Sequence, residues 1–134
     1  MTRIGQEKDI RYLPGLFALF NRRTGDKTLD TMVEHSLRDF LAAFEKETVE
    51  KLSKGTADER KLCLQVAGNN RFTTAAPFLV EMTGTETDDG ILTAVFLAMA
   101  EINDPLFGEI FRKNATHPDR VISGICNRMV QANS

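Results

Sequence analysis

The chain has no tryptophan and a single tyrosine, whereas nine of its 134 residues are phenylalanine. Tyrosine and tryptophan supply many of the strongest contacts in protein interfaces, because each joins a large apolar ring to a polar group. Phenylalanine lacks the polar group and is most often found in protein interiors. The aromatic composition therefore predicts a packed core and argues against an interface anchored by tryptophan or tyrosine.

Residues that bind metals or act as nucleophiles are also scarce. The chain has two histidines, His35 and His117, and two cysteines, Cys63 and Cys126, and these four do not have the spacing of a zinc site. Both cysteines lie among aliphatic residues at helical spacing, which predicts reduced, buried thiols. No serine lies in a Gly-x-Ser-x-Gly motif, and the glycines form no phosphate-binding loop. We therefore predict no catalytic residue, no cofactor site, no metal site and no enzymatic activity.

Long apolar runs and a strong net charge are absent as well. No apolar run approaches the roughly 20 residues that span a bilayer, and residues 1–9 are too polar to form the core of a secretory signal. The net charge of −2 provides no general attraction for nucleic acid or for an anionic membrane. We expect a cytoplasmic protein that has no membrane partner and is not a nucleic-acid-binding protein.

What the chain does contain is a helical periodicity along its whole length. Apolar residues recur at the 3.6-residue period, and no segment shows the alternation of a β-strand. This pattern predicts an all-α domain of about seven helices. The second helix is predicted to begin near Asp26 or Thr28 and to extend to Lys54, since no breaker follows Ala42, although the sequence leaves open whether residues 28–54 form one helix or a broken one. Its Glu- and Lys-rich second half is expected to be exposed on most sides.

The second half of the chain repeats. Asp58, Asp89 and Asp119 each precede an apolar helical stretch, at intervals of 31 and 30 residues. A fixed period of this size is typical of solenoids, in which each unit buries its apolar face against its neighbours. Asp26 lies 32 residues before Asp58, but no turn follows it where the pattern requires one.

We therefore predict a single domain, residues 1–134, with two parts. Residues 1–55 form N-terminal helices of weak repeat character, and residues 56–134 form the repeats.

Short motifs within residues 58–130 resemble HEAT-like repeats of the bacterial type. Residues 100–105 (Ala-Glu-Ile-Asn-Asp-Pro) look like the turn between the two helices of a unit, and residues 75–79 are similar to the stretch that opens a second helix. Asp119 and Arg120 resemble the start of a first helix. The resemblance implies a right-handed α-solenoid of stacked antiparallel helix pairs. The expected core residues are Phe78, Leu79, Phe96, Phe107, Phe111 and Ile125.

HEAT-like repeats commonly provide binding surfaces, so the resemblance implies a non-catalytic protein-interaction or scaffold module whose partner is another protein. The second helices of the pairs would line a shallow groove. The candidate partner-binding residues there are polar or charged: Thr74, Glu81, Glu109, Arg112 and Lys113.

Two other functions are implied by related HEAT-like proteins. Those similar to bilin lyase subunits act in heteromers, which suggests an accessory subunit of a modifying enzyme as the alternative. HEAT-like DNA glycosylases use a basic concave surface. Here the basic groups, residues 22, 23 and 27 and residues 60, 61 and 71, form no continuous stripe, which disfavours nucleic-acid binding.

The two terminal helices lack neighbours that a longer array would provide. The first helix has nothing upstream to cover its flank, and the last has no returning helix in its unit. Incomplete units leave apolar surface at the ends of a solenoid. This predicts a homo-oligomer formed through a terminal helix.

Overall fold

The computed structural model describes residues 9–133, and this part of the chain is helical throughout, with no β-strand. The all-α prediction is therefore confirmed. Three short 3₁₀ turns precede α1, α5 and α7. The α-helices are α1 (Leu13–Arg22), α2 (Lys27–Ala43), α3 (Glu45–Lys51), α4 (Ala57–Asn69), α5 (Ala76–Thr85), α6 (Asp89–Ile102), α7 (Gly108–Lys113) and α8 (Arg120–Ala132).

Four of these helices begin at a residue whose side chain caps the helix. Asp26, Thr56, Asp88 and Asp119 accept hydrogen bonds from backbone N–H groups in the first turns of α2, α4, α6 and α8. These positions are 30, 32 and 31 residues apart. The regular interval thus begins at α2, one capped helix before the predicted first position at Asp58. Asp58 and Asp89 lie two residues and one residue after the capping residue of their helices, whereas Asp119 is itself the cap.

The four capped helices also lie against one another in order. Helix α2 contacts α4, α4 contacts α6, and α6 contacts α8, while α3, α5 and α7 pack against α4, α6 and α8. The α4–α6 contact is the most extensive. Gly68 lies inside α4 and faces the backbone of Ala98 at close range. The absence of a side chain at this position lets the two helices approach.

The predicted helix over residues 28–54 is broken at Phe44, which has φ −125° and ψ 75°. The Thr48 hydroxyl donates to the carbonyl oxygens of Leu41 at 2.7 Å and Phe44 at 2.9 Å, which stabilises the break. Because of this break, residues 9–133 contain eight α-helices where about seven were predicted. Val49 and Leu52, the main apolar residues of this segment, are buried, and so is the polar Thr48. The exposed residues 46, 50, 53 and 54 lie on one face, so the segment is not exposed on most sides as expected.

Most of the predicted core residues are buried. Leu79, Phe96, Phe107, Phe111 and Ile125 lie in one apolar cluster, as expected. Phe78 was expected there as well, but it is 39% exposed. The buried face of α5 is formed by residues 76, 79 and 82, and Phe78 points about 100° away from Leu79 because each residue of an α-helix turns by that angle.

The two cysteines are free and buried, as predicted. Burial raises the pKa of the Cys63 thiol to about 12 and that of Cys126 to about 11. A thiolate is the reactive form of cysteine, so both residues are inert apolar side chains of the core.

Candidate partner-binding site

A groove with a volume of about 530 Å³ opens between α1 and α3. Leu13, Phe17 and Ala18 of α1 form its apolar floor. Leu13 and Phe17 are four residues apart and therefore lie on one face of the helix, and Ala18 extends this face on one side. The remaining lining residues are Ile10, Pro14, Asn21, Glu47, Glu50, Lys51, Lys54 and Glu59. The groove therefore combines an apolar floor with a charged rim.

The inner wall of the groove is held by Glu59, a carboxylate that is only 5% exposed. Its Oε2 accepts a hydrogen bond of 2.6 Å from Asn21 Nδ2, and its Oε1 accepts one of 2.9 Å from the backbone N–H of Thr56. Lys51 Nζ lies 3.8 Å from Oε1. A buried carboxylate is tolerated only when it is paired in this way. Because its partners belong to α1, α3 and the start of α4, Glu59 fixes the width of the groove.

Lys51 also lies above the floor. Its Nζ is 4.5 Å from the centre of the Phe17 ring, within the range of a cation–π contact. In residues 9–133, none of the ion pairs involves Glu47, Glu50 or Lys54, and the latter two side chains are exposed. The Glu50 carboxylate and the Lys54 ammonium group of the rim are thus directed to solvent, while Glu47 is half-buried.

Three of the five predicted binding residues lie together on α7. Glu109, Arg112 and Lys113 line an open depression of about 650 Å³ beside Ile110. All three charged side chains are exposed. The depression has less apolar surface than the α1–α3 groove and is formed by one helix.

The other two predicted residues lie elsewhere. Thr74 is exposed in the turn before α5, and its hydroxyl donates a hydrogen bond to the Glu45 carboxylate of α3. Glu81 is exposed on α5. Sequence reasoning missed the α1–α3 groove. Its only local signal is the Thr56–Glu59 capping box, since the contact of Glu59 with Asn21 spans 38 residues.

One of the basic groups weighed for nucleic-acid binding is partly engaged within the fold. Arg60 forms an ion pair with Glu86 and donates from Nε to the Leu52 carbonyl oxygen at 3.1 Å. Arg60 thereby joins the end of α3, helix α4 and the segment before α6. This arginine serves packing between helices.

No protein-family model, curated protein or solved structure matches the chain. Within residues 9–133, no three His, Cys, Asp or Glu side chains are placed to hold a metal ion. None of the helices in the described part combines the length and apolar character needed to cross a membrane.

Proposed function

We propose that this protein is a non-catalytic interaction module that holds a helical segment of another protein in the groove between α1 and α3. The observation that carries the proposal is an apolar floor beneath a charged rim, held in place by the buried Glu59 and its partners. Helix-in-groove recognition uses this combination, because the floor takes the apolar face of the ligand helix and the rim aligns its polar residues.

The proposal includes a HEAT-like, right-handed stack of antiparallel helix pairs. Four capped helices at intervals of 30 to 32 residues, each in contact with the next, support such a stack. In this arrangement α3, α5 and α7 are the shorter second helices. The groove uses α3, and the predicted residues Glu109, Arg112 and Lys113 lie on α7, so both surfaces belong to the second helices. The two unbridged cysteines support a reducing compartment such as the cytoplasm.

The charges of the rim indicate the chemistry of the partner. Lys51 is committed to Glu59 and Phe17, so the remaining charges of the rim are the carboxylates of Glu47 and Glu50 and the ammonium group of Lys54, two negative charges against one positive. A ligand helix with apolar residues on one side and lysine or arginine at its edge is complementary to this surface. Charges at a rim contribute mainly to specificity and association rate, whereas the floor supplies most of the affinity.

The proposal is tested by replacing two alanines with arginine, one inside the groove and one outside it. Proteins retained from a lysate of the source cells are identified, and the purified partner is titrated by calorimetry into wild type, Ala18→Arg and Ala42→Arg. Ala18 is exposed on the floor of the groove, and Ala42 is exposed on α2 outside it. Filling the floor should weaken binding at least tenfold, while Ala42→Arg should bind as wild type does.

Equal affinities for the two variants would contradict the proposal, and so would a lysate that yields no specific partner. The alternative function, an accessory subunit of a modifying enzyme, makes a different prediction in the same experiment. The retained partner would then be an enzyme whose turnover rises when this chain is added.

A further inference from the structure

The groove between α1 and α3 already holds a cation, which the chain itself supplies. Lys51 Nζ lies 4.5 Å from the centre of the Phe17 ring and 3.8 Å from Glu59 Oε1. The face of an aromatic ring attracts a cation, and the buried carboxylate adds a full negative charge. Phe17, Glu59 and the space beside them that Nζ occupies are therefore complementary to an ammonium group. We call this place the ammonium slot.

The slot is held in shape by groups other than Lys51. The Glu59 carboxylate accepts hydrogen bonds from two neutral donors, Asn21 Nδ2 at 2.6 Å and the backbone N–H of Thr56 at 2.9 Å. A carboxylate has about four acceptor positions, so part of its capacity remains for a cation. Phe17 is held by burial, since only 6% of it is exposed. The slot should therefore persist when Lys51 leaves it.

Lys51 itself is held weakly and has another carboxylate within reach. Its side chain is 33% exposed, and 3.8 Å is too long for a hydrogen bond to Glu59. Glu47 lies four residues earlier on α3, and a glutamate four residues before a lysine is the favoured order for an ion pair on a helix. Among residues 9–133, Glu47 takes part in no ion pair. Lys51 can thus leave Glu59 and still pair with a carboxylate.

The group that replaces Lys51 must carry a positive charge. An apolar side chain in the slot would leave the Glu59 carboxylate buried without a cation, which is costly. A guanidinium group pairs best through two parallel hydrogen bonds, but both oxygens of Glu59 already accept one bond each. An ammonium group acts as a point charge, and its apolar stem can lie along the floor of the groove. These requirements favour lysine.

We propose that a lysine side chain of the partner enters the ammonium slot and displaces Lys51, which turns to Glu47. In the free protein Lys51 takes the place of the ligand, so the partner has to compete with it. The inference deepens the proposed function and rests on it, because it names the group that anchors the partner in the groove.

The test uses n-butylammonium, which reproduces the end of a lysine side chain. It is titrated into isotope-labelled protein at constant ionic strength, and the side-chain amide signal of Asn21 is followed by NMR. Lys51→Ala empties the slot. Lys54→Ala is the matched control, because it removes the same charge from the same rim and leaves Lys51 in place. Binding should saturate, with a dissociation constant at least about fivefold lower for Lys51→Ala than for Lys54→Ala.

Two further substitutions, each made in the Lys51→Ala protein, test the walls of the slot. Glu59→Gln removes the negative charge and should weaken n-butylammonium binding at least about fivefold. Phe17→Leu keeps an apolar side chain but removes the ring, and it should weaken binding about twofold or more. Thermal unfolding checks that each protein is folded, and Phe17→Leu keeps the test decisive if the Glu59 variant unfolds.

Equal affinities of Lys51→Ala and Lys54→Ala would overturn the proposal, as would the absence of saturable binding to Lys51→Ala. Equal binding of uncharged 1-butanol would mean an apolar pocket without a cation site, and tighter binding of n-butylguanidinium would overturn the choice of lysine. The outcome is distinct from that of the proposed function. Failure of the slot leaves the effect of Ala18→Arg on the partner unchanged, whereas a filled slot with no effect of Ala18→Arg would contradict the proposed function alone.

Discussion

Replacing Gly68 by alanine tests the close contact between α4 and α6. A Cβ built on Gly68 lies 3.0 Å from Ala98 Cα and 3.4 Å from Ala98 Cβ. The nearest atom is backbone, so the added methyl group cannot be accommodated by moving a flexible side chain. Either α4 and α6 move apart, or the new group remains compressed.

Two effects of opposite sign decide the change in stability. Alanine in a helix interior is favoured over glycine by about 1 kcal/mol. Overpacking a well-packed contact costs about 1–3 kcal/mol. Since Gly68 faces backbone in the most extensive helix contact, we expect the cost to prevail. Gly68→Ala should lower the free energy of unfolding by about 1 kcal/mol in net terms, within the ranges of the two effects.

Gly124→Ala is the matched control. Gly124 lies inside α8 and is exposed, and a Cβ added there meets no atom within 4 Å. Only the helix-propensity effect acts, so this variant should be more stable than wild type by about 0.5–1 kcal/mol. The same chemical change is therefore expected to act in opposite directions at the two positions.

The assay is urea unfolding followed by circular dichroism, with the free energy obtained by linear extrapolation. If the free energy of unfolding depends on urea concentration with the same slope in all three proteins, the substitutions change stability and not the surface exposed on unfolding. Gly68→Ala as stable as Gly124→Ala would refute the reasoning, because it would mean that α4 and α6 are not in close contact at this point.

Three further predictions concern the core, the thiols and pH. Phe111 is almost fully buried and meets Phe107 edge-on with ring centres 6.1 Å apart, so Phe111→Ala should lower the free energy of unfolding by about 3–5 kcal/mol; an unchanged melting temperature would place this side chain outside the core. Cys63 and Cys126 should react slowly with a polar thiol reagent at pH 8 until urea is added, because burial raises the pKa of each, and rapid labelling of the native protein would contradict their burial. The backbone N–H of Thr24 donates a hydrogen bond to the Asp30 carboxylate and is the main cause of its lowered pKa. The ionised carboxylate therefore stabilises the folded state above the ordinary pKa of 3.8, and this contribution is lost as the pH falls through the lower pKa of the folded state. Asp30→Asn should therefore reduce the loss of stability on acidification, and identical pH profiles for the two proteins would rule out this contribution.

The sequence by itself determined the helices and most of their starts. A cap such as Asp26 or Asp119 binds backbone N–H groups two or three residues away, so its effect depends on local sequence. The apolar period was likewise sufficient to predict the buried thiols of Cys63 and Cys126. These features involve neighbours along the chain or along one helix face, which is why they could be predicted.

Only the tertiary structure decided where the chain breaks and where the groove forms. Residues 42–54 contain no helix breaker, yet the helix ends at Ala43 because the break lets Val49 and Leu52 enter the core. The floor of the groove follows the period of α1, but its wall requires Asn21 and Glu59, 38 residues apart, to meet. Burial of distant residues against one another outweighs a local helical preference, and the periodicity of a single helix does not specify which helix will lie beside it.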